Sequence, residues 1–429
     1  MSNKNLFVIL GGFSSRKYPF LLKSILDLGL DFNIIDEEDN YTEVLIKKVD
    51  SNHPLSKVND VFICYHKDQS AILNKIADWS VDRKIVGVFG LKEVFVEAAA
   101  LVADYLQLLS PGLKAAKISR NKVLQRLYFE KISPKFKIIP ENQRSQLGNL
   151  NFDEPFVLKP INRASSSGVI RVNNQEQLDK VIDTYPNDED LLIEQLIVGR
   201  EFSVETLIND KEVIFENITE KLTNENSTDY FVELAHKIPA TNLSSEVRKK
   251  LFEINRYVLK ELNFISGISH AEYKVTNSGE VYFIEIAVRP PGDGIMELYF
   301  YGTGRPIEQE IINICIGREA TYQLSSQFVQ QVFLDHPEGL LEDIEIREYD
   351  IKPIWTMDYE IIDIPKKIMY EDQGNIRQIK VEKKKGSKLE SIKSSYDRAV
   401  SFIIVAETEK KLKSLECKVK KNINIKVRS

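Results

Sequence analysis

Short apolar runs alternate with amphipathic stretches through the N-terminal quarter of the chain, at residues 6–10, 20–28, 32–35, 61–65, 72–79, 85–89 and 94–109. The short runs have strand length, and the longer ones place apolar residues every three or four positions. Strand, helix and strand therefore follow one another, the order of a parallel α/β sheet. Gly11 and Gly12 come directly after the first strand. A glycine pair there is either a tight turn or a place where an open α/β sheet meets a ligand, although the run is not GxGxxG.

Ser110, Pro111 and Gly112 form a turn cluster that closes this region. Residues 114–131 have helical composition and stop at Ser133 and Pro134. From Phe156 the texture changes to strand pairs, at 156–159, 169–172, 191–195, 202–208 and 213–218, the last two joined by Asn209, Asp210 and Lys211 as a hairpin. A helix over 245–262 leads to a second hairpin, 269–275 and 281–287. From about residue 323 strands mix with a helical stretch at 408–417. The pattern predicts an N-terminal α/β domain (1–111), a central α+β domain (112–322) and a smaller α+β lobe (323–429).

Composition narrows the function classes. The chain has 429 residues, 43% apolar and 28% charged, enough for two or three cores. A net charge of -6 argues against a nucleic-acid surface, which needs Lys and Arg to neutralise phosphates. The lysine-rich C-terminal stretches are interleaved with Glu and read as solvated surface. Three distant cysteines fit a reducing cytoplasm and no zinc cluster. Neither a signal-peptide pattern nor a membrane-span-length apolar run is present, so a cytoplasmic protein without a membrane partner is expected.

Three constellations carry candidate chemistry. In the first, Phe156-Val-Leu-Lys-Pro160 puts Lys159 at the end of a buried strand, and Arg163-Ala-Ser-Ser-Ser-Gly-Val169 follows as a small-residue loop. A buried lysine needs an anion, and a Ser/Gly loop brings backbone N–H groups close to phosphate oxygens. A surface lysine before a flexible turn is the alternative. In the second, residues 191–195 run into Glu194 and through a short linker to Glu201; such a hinge exposes backbone groups able to read an adenine edge, and a carboxylate can hold ribose hydroxyls. A solvated pair of glutamates is the alternative. The third lies on the second hairpin, where Glu272 follows Ser269-His270-Ala271 and Glu285 lies in Tyr282-Phe-Ile-Glu-Ile-Ala-Val-Arg289-Pro-Pro-Gly-Asp-Gly294. Period-two alternation places Glu285 on the face of Phe283 and Ala287, an acid where an apolar residue is expected. Two carboxylates on adjacent strands suit Mg²⁺ beside phosphate oxygens. Arg289 offers a planar fork to a carboxylate or phosphoryl oxygen, or forms an ion pair with one glutamate.

Taken in this order, the constellations resemble the ATP-grasp superfamily, and within it the carboxylate-amine ligases that include bacterial L-amino-acid ligases. The resemblance implies an ATP-grasp fold: an N-terminal parallel α/β domain, a central pair of subdomains with a lid at about 150–208, and a small C-terminal lobe. It implies that Lys122 and Lys159 contact nucleotide phosphates and that Ser165, Ser166, Ser167 and Gly168 close over them. Glu194 and Ile197 would sit at the adenine hinge with Glu201 on the ribose, and Glu272 and Glu285 would bind Mg²⁺, or Mn²⁺ in its place. Arg289 would steady an acyl phosphate. Val232-Glu-Leu-Ala-His-Lys-Ile-Pro239 is similar to the segment lining the amino-acid pocket, which makes Glu233 a candidate for an α-ammonium group and His236 for orienting or deprotonating the amine. Asp293 is a candidate for an ammonium or a cationic side chain, and the Gly292 to Gly294 amides for a tetrahedral oxyanion. One departure is that Ala287 stands where many members have a metal-binding Asn. The expected substrates are ATP, a small carboxylic acid and an amine, both amino acids by preference. Homodimerisation is implied by the resemblance alone. A bicarbonate- or phosphorylated-amine-activating relative would call for further basic residues, and a non-catalytic ATP-binding module would have lost the carboxylates or Arg289.

Overall fold

The computed structural model describes residues 5–37, 53–143, 155–356 and 375–428. Strands β1 (Leu6–Leu10), β2 (Asp31–Asp36), β3 (Asp60–Ile63) and β4 (Ile85–Gly90) form a parallel sheet in the order β3-β2-β1-β4. All five residues of β1 are buried, as expected for a central parallel strand covered on both faces. The glycine pair after β1 is explained by packing. Gly11 has φ 74°, and a Cβ there would lie 2.6 Å from Lys92 Cβ. The turn is fixed by Asp36, whose carboxylate accepts from the Phe13 amide at 2.9 Å and from Lys92 Nζ at 2.6 Å.

The helical stretch after Gly112 is two helices, Leu113–Ser119 and Lys122–Tyr128, where one was expected. Asn121 adopts an extended conformation between them and its side chain accepts from the Leu124 amide at 3.0 Å, so it caps the second helix and interrupts the first. The break leaves Lys122 at the start of the second helix.

Next come β5 (Phe136–Ile139), β6 (Phe156–Pro160), β7 (Ile170–Val172) and β8 (Leu191–Gln195), an antiparallel sheet in the order β5-β8-β6-β7. The expected lid begins near residue 150, outside the described residues. Among the described residues the larger sheet has nine strands. It contains β9 (Arg200–Asn209), β10 (Glu212–Thr223), β11 (Glu233–Ile238), β12 (Gly267–Val275) and β13 (Val281–Ala287), and continues with β14 (Phe328–Leu334), β16 (Ile354–Trp355), β17 (Ile376–Val381) and β19 (Val400–Ala406). Asp210 and Lys211, both at positive φ, make the tight β9–β10 turn.

The helix Ser245–Glu261 starts at Ser244, which accepts from the Val247 amide at 3.2 Å. It packs Leu251, Val258 and Leu259 against Phe202, Val204, Tyr273 and Phe283. Tyr273 donates to Asn255 Oδ1 at 3.0 Å and Asn255 to Thr206 at 2.9 Å, which satisfies the polar atoms of this core. Helix on one face leaves the other face of β9, β10 and β12 to line a cleft.

The C-terminal lobe shares its main sheet with the centre of the molecule. β14 pairs with β11 in antiparallel register, Ala235 opposite Val332 and His236 opposite Gln331, so hydrogen bonding is continuous across residue 323. The lobe adds a small sheet of β15 (Gly339–Ile346), β18 (Lys388–Leu389) and β20 (Ile423–Arg428), and the helix Glu409–Asn422, capped by Thr408. Its lysines pair with Glu, as Lys420 does with Glu416 at 2.6 Å. Among the described residues no helix is long and apolar enough to cross a membrane. Cys64, Cys315 and Cys417 are free thiols.

Candidate active site

The cleft lies between the β5–β8 sheet and the exposed face of the nine-stranded sheet, and the three constellations converge on it. At one end Lys159 is buried and its Nζ lies 2.7 Å from Glu194 Oε2. Glu194 also receives Arg126, from the helix after Asn121, and Arg126 Nη2 donates to Ile284 O at 2.6 Å, tying this ion cluster to β13. Burial lowers the Lys159 pKa to about 8, with Glu194 offsetting part of the effect. Burial opposes charge on Glu194 too, but Arg126 and Lys159 outweigh it and hold the carboxyl at about 2. The Glu194 side chain thus anchors the two cations, so any adenine contact at this hinge falls to the backbone of 195–197. Ile197 is buried along that wall, and Gly199 is required because a Cβ would meet Val275 O at 2.3 Å.

Lys122 Nζ donates to Arg163 O at 2.7 Å and lies 3.1 Å from Glu285 Oε1, bridging the serine loop and β13. Within the loop Ser165, Ser166 and Gly168 have φ of 60°, 55° and 75°. Left-handed residues in succession form a concave turn suited to an anion, and the two serines are strained there.

The hairpin β12–β13 places Glu272 directly opposite Glu285. One expectation is corrected: Glu285 does not share the face of Phe283. A bulge shifts the register between Glu272 and Tyr273, so Phe283 pairs with Tyr273 in the helix-covered core while Ile284 and Glu285 both border the cleft.

Sequence reasoning missed the residue at the centre of the cleft. Lys221 on β10 has a side chain 2% exposed, with Nζ 2.5 Å from Glu272, 3.3 Å from Glu233 and 3.5 Å from Glu201. Burial works against its charge, but Glu272, Glu233 and Glu201 hold its pKa well above the ordinary lysine value. Lys274 adds ion pairs to Glu201 at 3.6 Å and to Glu225. His270 bridges Glu205 at 2.8 Å and Glu272 at 3.2 Å; these carboxylates outweigh burial and raise its pKa. Burial raises the Glu201 pKa, against the pull of Lys221 and Lys274. The donor set fits a divalent cation: Glu201, Glu233 and Glu272 offer oxygens within 4.8 Å of one another, and Glu272 faces Glu285.

At the far end Arg289 Nε donates to Glu93, which also receives Arg120 at 2.8 Å. Arg289 does form an ion pair, with a carboxylate of the N-terminal domain. The turn after it differs from expectation in three respects. Asp293, at φ 54°, gives its carboxylate to Arg398 at 2.6 and 3.0 Å and to His236 Nε2 at 2.8 Å, so it is not available to a substrate ammonium. Arg398 and His236 overcome burial and hold it well below the usual carboxylate range. The Gly294 amide donates to Gln331 Oε1 at 2.8 Å, which removes it as an oxyanion donor, and a Cβ at Gly294 would clash with the same amide group. His236, nearly inaccessible, directs Nε2 at Asp293, and its buried Nδ1 has no partner among the described residues; the ring holds Asp293 in place, where a residue orienting or deprotonating the amine was expected. Gly292 is exposed, with open space where a Cβ would stand.

Comparison with known proteins agrees with this geometry. Residues 152–297 match the family model of the ATP-grasp domain. The D-alanine–D-alanine ligase of Geotalea uraniireducens (strain Rf4) is 22% identical over 301 residues, 68% of this chain and 87% of that protein. That of Helicobacter pylori (strain Shi470) is 27% identical over 198 residues, 44% and 56% of the two chains. Among solved structures, an L-amino acid ligase from Bacillus licheniformis superposes with TM-score 0.76 at 18% identity, covering 100% of this chain and 99% of that one. Phosphoribosylglycinamide synthetase from Anaerococcus prevotii follows with TM-score 0.67 at 16% identity, covering 99% and 100%. The chain thus has the ATP-grasp fold, with the ATP-grasp domain match at residues 152–297. The ligases among these relatives support an enzyme that forms carbon–nitrogen bonds at the expense of ATP.

Proposed function

We propose that the protein joins two amino acids, activating the carboxylate of one as an acyl phosphate at the expense of Mg-ATP and passing it to the amine of the other. The observation that carries this reading is the convergence on one cleft of Lys122, Lys159 and the serine loop with the Glu272–Glu285 pair and Arg289. The acid's carboxylate oxygen attacks the γ-phosphorus, the bond to the β,γ-bridging oxygen breaks, and ADP departs with that electron pair. The amine then attacks the acyl carbonyl, a tetrahedral oxyanion forms beside Arg289, and phosphate leaves as the amide forms and the amine loses its proton. Glu272 and Glu285 would hold Mg²⁺, which supplies charge neutralisation at the transferring phosphoryl group. Lys122 and Lys159 neutralise phosphate oxygens, and the loop from Ser165 to Gly168 excludes water from the acyl phosphate.

Hydroxylamine tests the intermediate. With Mg-ATP and the acid substrate alone it should yield an acyl hydroxamate and one phosphate per hydroxamate; phosphate release without hydroxamate contradicts acyl transfer.

Two further outcomes follow from the charges. Free Lys159 loses its proton at about pH 8, whereas a bound phosphate favours its charged form. ATP affinity is therefore steady below pH 8 and falls as pH rises above it, with proton uptake on binding that calorimetry in buffers of different ionisation enthalpy will detect. Lys159→Met should remove that pH dependence. Lys221→Met removes the cation that lies among Glu201, Glu233 and Glu272, so Mn²⁺ alone should bind the variant at least tenfold more tightly than the wild type, as read by electron paramagnetic resonance.

A further inference from the structure

The C-terminal lobe reaches into the cleft through a short turn, Ser395–Asp397, that no sequence pattern marked. Asp397 fixes it, accepting from the Ser394 amide at 2.8 Å and from Ser394 Oγ at 2.9 Å. Ser395 donates its amide to Ser165 O at 3.1 Å and its hydroxyl to Glu233 Oε2 at 3.1 Å, so the turn touches both the serine loop and the proposed ammonium-binding carboxylate. Arg398 follows. Its guanidinium lies 3.7 Å from the centre of the Phe333 ring, donates to both Asp293 oxygens and to Glu233 O at 3.2 Å, and its side chain is 3% exposed.

The consequence is a wall without net charge. Asp293, its side chain 22% exposed, is an acid that borders this end of the cleft, and Arg398 cancels it through two hydrogen bonds. A charged side chain brought here would shed water with no free counter-charge to receive it, which is unfavourable. An uncharged side chain loses nothing comparable.

We propose that Arg398 is a specificity-determining residue: by neutralising Asp293 it restricts the cleft to a substrate amino acid with an uncharged side chain. The inference rests on the amino-acid-joining reading above. It makes the C-terminal lobe part of the substrate site. Removing either partner should expose the other, so the two single substitutions should shift preference in opposite directions.

The test measures binding, independently of turnover. L-Lysine, L-glutamate and L-glutamine are titrated by calorimetry into enzyme loaded with Mg²⁺ and a non-hydrolysable ATP analogue. The wild type should bind L-glutamine at least tenfold more tightly than either charged probe. Arg398→Met should gain at least tenfold for L-lysine, and Asp293→Asn at least tenfold for L-glutamate. The double variant should return to the wild-type order, since the two changes share one interaction, and Arg398→Lys, which keeps the charge, should retain it. The same rank of L-lysine and L-glutamate in all the variants, or no binding of a charged probe by either single variant, overturns the proposal. If the wild type binds L-glutamine but forms no product with any amino-acid pair, the amino-acid-joining reading fails while the charge rule is still read from the binding data.

Discussion

Arg289→Ala should lower turnover by about 10²–10³-fold while ATP still binds, because one preorganised donor aimed at developing charge supplies about 3–4 kcal/mol in the transition state. The guanidinium is held in place on two sides. Glu93 takes its Nε–H, Pro290 O accepts from Nη1 at 2.7 Å, and Glu93 is itself fixed by Arg120. Arg289→Lys should recover little, since a single ammonium cannot satisfy Glu93 and face the substrate together. Steady-state kinetics with a direct nucleotide-binding measurement separates the two effects. Near-normal turnover by a folded Arg289→Ala enzyme contradicts the assignment of Arg289 to the reacting centre.

The second large effect concerns stability. Glu194→Ala leaves Arg126 and Lys159 buried without their counter-charge, and breaking a buried ion cluster in this way costs about 3–5 kcal/mol. Denaturant unfolding should show that loss, and Glu194→Gln, which keeps hydrogen bonding, should lose less. The pH dependence has a definite sign. Glu194 titrates at about 2 in the folded protein against an ordinary 4.5, so its stabilisation is complete above about pH 4.5 and disappears as pH falls through 2. Lys159 adds a second rise at high pH: lowered to about 8 from 10.5, it leaves the unfolded chain binding more protons in that window, so stability rises again between pH 8 and 10.5. A Glu194→Ala protein as stable as the wild type would show that the cluster is not a structural anchor.

What could be read from the sequence was whatever a local pattern encodes. β13, Val281–Ala287, was legible to the residue because flanking turns bound it, and Glu272 and Glu285 could be placed on adjacent strands, whereas their direct opposition is set by the bulge. The facing of Phe283 was misread because a bulge inserts one residue and leaves no mark in composition. The helix break at Asn121 did have a signal, since Asn is a favoured capping residue, but the helical composition on both sides masked it. Lys221 carried a weaker one: it is a lysine within a strand whose neighbours Thr219 and Thr223 are also buried, so its charge needed partners. Those partners lie on β9, β11 and β12, and only tertiary pairing brings them together. Arg398 is more than a hundred residues from Asp293 in the chain. No period or motif links them, and the contact exists because β14 joins the C-terminal lobe to β11.

The central claim is that this cleft joins two amino acids at the expense of ATP. Its most direct test is phosphate release from Mg-ATP with the standard amino acids, singly and in pairs, followed by mass spectrometry. The account predicts release that depends on particular pairs, with a product whose mass is their sum less one water. ATP binding without release for any pair, or release with no condensed product, contradicts it.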